Sequence, residues 1–324
     1  MNSRKGTSTR DSAPLRDRTA IVTYRELAPS PELRDHVRAY YSFTPGAAAW
    51  RGHRAVTREV QFTREDSFCS PRFADGQTSL VMDLGATCEL GTGWTFGTLV
   101  QARAIGALRT VGAPAGSARS EMIGVYFEPG ATSALLRVPA IELTDQVVDL
   151  DHLWGSHGAR LAEDLAELDE EARVDRLEAA LLGRVRRAPT PRLRIDVVGL
   201  ARWVRGEPTS MTVRRLASAA GVSRQHLTRV FRQVIGVSPK RYCRLARFQA
   251  GLIYAGAGAG VQWAQVAAEF GYADQSHMIA ELRELSSLTP ESLATQRWFH
   301  PFILEARSRI TNRSPVSGNR PARE

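Results

Sequence analysis

Between about residues 21 and 140 the chain runs as short apolar stretches, TSLVMDLG, WTFGTLV, ARAIGALRT and EMIGVYFEPG, separated by turn residues. Gly76, Gly85, Gly91, Gly93, Gly106, Gly112, Gly116 and Gly130 punctuate them at strand-like intervals, and Pro114 and Pro129 add stops. The pattern predicts an antiparallel β sandwich or barrel over 21–140. After Pro139 the period lengthens. Leu161, Leu165 and Leu168, then Val174, Leu177 and Leu181, fall at helical spacing with acidic residues facing out. Residues 141–187 therefore read as accessory helices packed on the β unit or on a partner. Pro189 and Pro191 bias the residues before them away from the α region, which makes 188–194 a linker. From 195 to about 300 every periodic segment is helical. The polar, Arg-rich ends, 1–20 and 308–324, lack periodicity and are expected to be disordered tails. The fold class is α+β and multidomain, with a β-rich N-terminal half and an all-α C-terminal half.

The helical half contains a duplication. LASAAGVSRQHL at 216–227 is echoed by VAAEFGYADQSHM at 266–278, and VSP at 237–239 by LTP at 288–290. The offset is 50 at Gly221/Gly271 and 51 at Pro239/Pro290, so the second copy carries one extra residue, expected early in its second helix. Each copy has the grammar helix, tight glycine turn, helix. The units span 212–236 and 262–287. In the first, Val213, Leu216, Ala217 and Ala220 form one apolar face, Gly221 suits the left-handed stop of that helix, and Ser223 suits the N-cap of the next. Leu227, Val230, Phe231 and Val234 form the predicted buried stripe of the second helix. Its opposite ridge carries Gln225, Thr228, Arg229 and Arg232, side chains that hydrogen-bond base edges and phosphates. Ser223 and Arg224 stand at the start of the same ridge.

The chain has 324 residues and a formal charge of +9, room for roughly two domains of about 100–200 residues each. It holds 41 Arg and two Lys, Lys5 and Lys240, so its basicity reflects an arginine bias as much as a partner. Position is more telling. Residues 192–251 contain 13 basic and two acidic residues, a net +11, whereas 252–300 contain two basic and five acidic, a net −3. Phosphate attraction is thus expected from the first unit and the helix after it, through Arg214, Arg215, Lys240, Arg241, Arg244 and Arg247. No apolar run approaches the roughly 18 residues of a membrane span. The first residues lack a secretory apolar core, so a soluble cytoplasmic protein is expected. Cys69, Cys88 and Cys243 match no metal or redox spacing and read as reduced thiols.

The segments AAGVSRQHLTRVFRQVIGVSPKRYCRLARFQAGLIYA, VAAEFGYADQSHMIAELRE and LTPESL make residues 195–300 resemble the C-terminal DNA-binding domain of the AraC/XylS family of bacterial transcription regulators. The resemblance implies two helix-turn-helix units joined by a long helix at 239–254. Their recognition helices would enter successive major-groove segments on one face of double-stranded DNA, about one helical turn or roughly 34 Å apart. For the second unit it implies contacts by Asp274, Gln275, Ser276, His277 and Arg283. Where the family carries an aromatic and an arginine on the DNA side, MIAELRELSS places Met278 and Ala280, followed by Glu281 and Glu284. FADGQTSLVMDLG, AIGALR, FEPGA at 127–131 and VDLDHLWG at 148–155 resemble an N-terminal domain often fused to such regulators. That likeness covers about 21–187 and implies a cupin-like β fold with a sensory or dimerisation role. Family habit further implies a homodimer that recruits or blocks RNA polymerase, more often as an activator.

Other chemistry finds little footing. His36, His53, His152 and His157 are too scattered for metal ligands on neighbouring strands. Neither a G-x-x-x-x-G-K-S/T phosphate loop nor a G-x-S-x-G nucleophile elbow occurs. GAGAGVQW at 256–263 follows a helix rather than a strand and reads as an inter-unit loop. No metal, cofactor or enzymatic activity is therefore expected. Trp94, Phe96 and Tyr126 are the candidate lining of a small-molecule effector pocket. Two alternatives remain open: an enzyme domain tethered to DNA, and a purely structural N-terminal dimerisation module.

Overall fold

The computed structural model describes residues 20–45, 55–62, 78–83, 98–103, 122–144, 146–188, 195–256, 262–286 and 289–290. Residues 1–19 and 308–324 of the expected tails, the 189–194 part of the linker and most of the GAGAG loop lie outside the described residues, while Ala20 opens a strand. So do Trp94, Phe96, Cys69 and Cys88.

The N-terminal half is built on one seven-stranded sheet. Its strands are β1 (Ala20–Leu27), β2 (Val37–Pro45), β3 (Ala55–Phe62), β4 (Thr78–Asp83), β5 (Thr98–Arg103), β6 (Met122–Phe127) and β7 (Val147–Asp149), in the order β3-β1-β2-β6-β4-β5-β7. The pairs β3–β1, β1–β2, β2–β6 and β6–β4 are antiparallel, but β4–β5 and β5–β7 are parallel. The purely antiparallel expectation is corrected at that edge. Parallel neighbours need crossover connections, which short apolar runs do not reveal.

Period-2 alternation gives the sheet an apolar face of Leu27, Tyr40, Leu80, Met82, Ile123, Val125 and Phe127. That face is covered by α1 (Thr132–Leu136), α3 (Leu150–Trp154), α4 (Ser156–Glu167) and α5 (Glu170–Arg186), through Leu135, Leu150, Trp154, Leu161, Leu165, Val174, Leu177 and Leu181. The accessory helices thus pack on the β unit. Arg25, fully buried on β1, pairs with Glu170 at the start of α5 and donates to the Thr44 hydroxyl at 3.3 Å. Lower down α5, Glu178 accepts the Ser30 backbone N–H at 3.0 Å. On the opposite sheet face Tyr41 stacks on Tyr126 at 4.3 Å and lies directly over Gly124, where a Cβ would sit 2.1 Å from its ring. That close approach explains a glycine in the middle of a central strand.

The C-terminal half consists of α6 (Val197–Gly206), α7 (Val213–Ala219), α8 (Arg224–Ile235), α9 (Pro239–Gly256), α10 (Trp263–Glu269) and α11 (Gln275–Ser286). Helix α9 is the shared spine. Its Tyr242 packs with Leu216, Leu227, Val230 and Phe231 of the first unit, while Leu245, Phe248 and Leu252 pack with Leu282 and Leu285 of the second.

The two halves touch where the FEPGA turn and α2 (Ala140–Leu143) meet the end of α8. Both sides use a left-handed glycine. Gly130 (φ +88°) lets Val198 and Val234 close in, and Gly236 (φ +97°) sits under Thr144, whose hydroxyl donates to the Gly236 carbonyl at 2.9 Å. Ion pairs flank the contact, Arg205 with Glu128 at 3.2 Å and Arg202 with Asp35 at 3.0 Å.

Candidate nucleic-acid interface

In the first unit, Thr212 caps α7 by accepting from the Arg215 backbone N–H at 3.2 Å. Gly221 (φ +63°) then stops the helix, and the Val222 N–H reaches back to the Ala217 carbonyl at 3.1 Å. The Ser223 hydroxyl accepts from the His226 N–H at 3.1 Å and starts α8. Leu227, Val230, Phe231 and Ile235 are its buried stripe; Ile235 takes the place expected for Val234, which is half-buried. The opposite ridge presents Arg224, Gln225, Arg229 and Arg232 to solvent, with Thr228 half-buried beside them. Sequence reasoning omitted Gln233, although it lies four residues after Arg229 on the same exposed face.

The second unit repeats this geometry. Gly271 (φ +69°) stops α10, the Tyr272 N–H returns to the Ala267 carbonyl at 2.9 Å, and Asp274 accepts from the His277 N–H at 2.7 Å. The turn bonds repeat at an offset of 50 and the caps Ser223 and Asp274 at 51, so the extra residue, Ala273, stands in the turn and not early in the helix. From the cap onward the register is 51. Met278 therefore matches Leu227 and is buried, 4% exposed, which corrects its expected place on the DNA side. Ala280 matches Arg229, Gln275 matches Arg224, and Arg283 matches Arg232; all are exposed. Asp274 spends a carboxylate oxygen on its cap. His277 folds back, its Nδ1 accepting from the Ala273 N–H at 3.4 Å.

A scan against family models matches residues 216–296 to "Helix-turn-helix domain" and residues 25–149 to "Domain of unknown function (DUF6597)". Residues 216–296 are an AraC-type helix-turn-helix domain. No curated protein matches the chain. Similar solved structures include the C-terminal domain of AraT, a response regulator from Geobacillus stearothermophilus, at 16% identity over 33% of this chain and 88% of that one, TM-score 0.29. The DNA-binding domain of AdpA in complex with a target DNA is 17% identical over 36% of this chain and 96% of that one, TM-score 0.27. ToxT from Vibrio cholerae O395, bound to (E)-4-(8-methylnaphthalen-1-yl)but-3-enoic acid, is 10% identical over 86% of this chain and 90% of that one, TM-score 0.33.

The electrostatics of the AraC-type domain differ from a simple charge count. Arg244 donates to Glu281 at 2.8 Å and to Glu284 at 2.6 and 3.1 Å, and Arg247 donates to both oxygens of Glu281 at 3.2 Å. Arg244 and Arg247, expected to meet phosphates, thus already have carboxylate partners inside the domain. Glu284, in turn, is held below its ordinary range chiefly by its bond to Arg244. Arg215 is engaged as well, with Glu207 at 3.3 Å, the Ser210 hydroxyl at 2.9 Å and the Trp203 ring at 4.9 Å. Arg214 and Lys240 are exposed, and Arg241 is half-buried.

An open cleft of about 910 Å³ runs along the α8 ridge, lined by Ser223 to His226, Thr228, Arg229, Arg232 and Gln233. Ile141 of α2, 43% exposed, forms its far wall. This contribution from the N-terminal half had no sequence signal, because it depends on how the two halves dock. Of the expected effector-pocket lining, Trp94 and Phe96 lie outside the described residues, and Tyr126 is 5% exposed and stacked on Tyr41. No group of three or more His, Cys, Asp or Glu able to hold a metal occurs among the described residues. Nor is any helix among them long and apolar enough to cross a membrane.

Proposed function

We propose that the chain is a sequence-specific, double-stranded-DNA-binding transcription regulator that works in the cytoplasm as a homodimer. The observation that carries this reading is the repeated turn-and-cap geometry of the AraC-type domain, which mounts two recognition helices on one spine. Of the two, α8 bears the stronger DNA-reading surface. Arg224, Gln225, Arg229 and Arg232 suit bidentate contacts to guanine or adenine edges and to phosphates, each good base pairing being worth about 1–3 kcal/mol of discrimination. Arg214, Lys240 and Arg241 flank that surface as backbone contacts. Gln275, Ser276 and Arg283 give α11 fewer options, so the second unit refines a site that the first unit holds.

The N-terminal half, for which only the sequence resemblance implies a cupin-like fold, is read as the sensory and dimerisation module. Its direct seat on α6 and α8, through Gly130, Thr144 and Glu128, is a mechanical route by which a small molecule could alter DNA affinity. Regulation would follow by recruiting or blocking RNA polymerase. Selection of bound duplexes from a random pool with the purified full chain tests the reading. A defined sequence should be enriched, and absence of any sequence preference would overturn it.

A further inference from the structure

The second recognition helix carries a carboxylate where the first carries a hydrocarbon. In the register set by the two caps, Glu281 of α11 occupies the position of Val230 in α8, and like it is buried, 3% exposed. It accepts from the Arg244 Nε at 2.8 Å, from Arg247 at 3.2 Å and from the Tyr272 hydroxyl at 3.0 Å. The Arg247 guanidinium also lies over the Tyr272 ring, 4.5 Å from its centroid. Tyr272 belongs to the turn before α11, and both arginines belong to α9. Burial first, and then the Glu281 carboxylate, push the Tyr272 hydroxyl upward, so it remains a donor at neutral pH.

Stability alone does not account for such a cluster, because replacing a buried ion pair with well-packed hydrocarbon is often neutral or stabilising. What ionic groups add is direction. The apolar contacts of Leu282 and Leu285 with Leu245, Phe248 and Leu252 hold α11 against α9 but tolerate sliding and rotation. Three donors converging on one carboxylate do not. From this arrangement we infer that Glu281 is a positioning residue for DNA recognition: it fixes α11 on the spine, and so sets the spacing and angle between the two recognition helices.

The inference rests on the proposed DNA-binding function, and the experiment separates the two. Using the sequence recovered by selection, duplexes are made with the second unit's element at its native position, displaced by one or two base pairs, or scrambled. For the wild-type chain, affinity should peak at the native spacing. Glu281→Gln should leave binding to the scrambled-element duplex unchanged. It should also lower affinity for the native duplex by about tenfold, through lost preorganisation, and flatten the dependence on spacing. A spacing profile identical to wild type would overturn the inference.

A DNA-free readout guards against failure of the functional reading. Spin labels at Ser218→Cys and Glu269→Cys, in a full chain with Cys69, Cys88 and Cys243 replaced by alanine, report the distance between the two units. One narrow distance distribution is expected, broadened by Glu281→Gln; equal widths would overturn the inference whether or not the chain binds DNA. The double variant Glu281→Met, Arg244→Met covers a folding defect in the first. It should remain folded by thermal melting and show the same broadening and spacing tolerance, and native spacing selectivity in this folded protein would equally overturn the inference.

Discussion

The phosphate-binding charge of the AraC-type domain can be measured one arginine at a time. Arg214, Arg224, Arg229, Arg232 and Lys240 are exposed on or beside the first unit. If each neutralises one phosphate, the slope of log K against log salt is about −4.5, at about −0.9 per contact. Raising the salt from about 50 to about 200 mM should then weaken binding about 500-fold. Arg232→Ala removes one contact, reduces the slope to about −3.6 and cuts that loss to about 150-fold, a change of about 3.5-fold per contact. Arg244→Ala should behave differently. Its guanidinium is already committed to Glu281 and Glu284, so the slope should stay near −4.5 even where overall affinity falls. Fluorescence-anisotropy titrations of a labelled duplex at four salt concentrations supply the slopes. If Arg244→Ala flattens the slope as much as Arg232→Ala, the ion pairs do not persist on DNA and the charge partition is refuted.

Glycine substitutions should separate strain from crowding. Gly221→Ala meets open space and carries only the left-handed penalty of about 1–2 kcal/mol, whereas Gly236→Ala also places a Cβ 2.6 Å from the Thr144 hydroxyl and should cost more in urea unfolding. Equal costs would mean that the contact between the halves is loose. Ser223→Ala and Asp274→Ala each delete an N-cap and should lower stability by about 1 kcal/mol, read by thermal melting. Burial pushes the Cys243 thiol from 9.0 up to about 11. The unfolded chain therefore loses this proton first as pH rises, and stability from this group, intact below pH 9.0, should be lost toward about pH 11. In a chain lacking Cys69 and Cys88, slow thiol labelling at pH 8 is expected, and rapid labelling there would contradict the burial.

The features legible in the sequence were those that act locally. A glycine at a left-handed stop, a serine cap two residues later and a helical apolar stripe are all set within one turn of chain, and the structure places Gly221, Ser223, Leu227 and Phe231 accordingly. Long-range partners were not legible. Arg244 and Glu281 are 37 residues apart, so both looked like surface charges until α9 and α11 came together. Met278 was misplaced by a single residue of register, because Ala273 enlarges the turn and not the helix. The parallel β4–β5 and β5–β7 ladders and the seat of Gly130 against Val198 depend on tertiary arrangement in the same way.

Methylation interference on the selected duplex tests the central claim most directly, since guanine N7 methylation blocks only major-groove readout. Two recognition helices on a single spine predict, for each bound chain, two patches of interference on one face of the duplex, about one helical turn apart, stronger under the first unit. A single patch, or binding indifferent to methylation throughout, would contradict it.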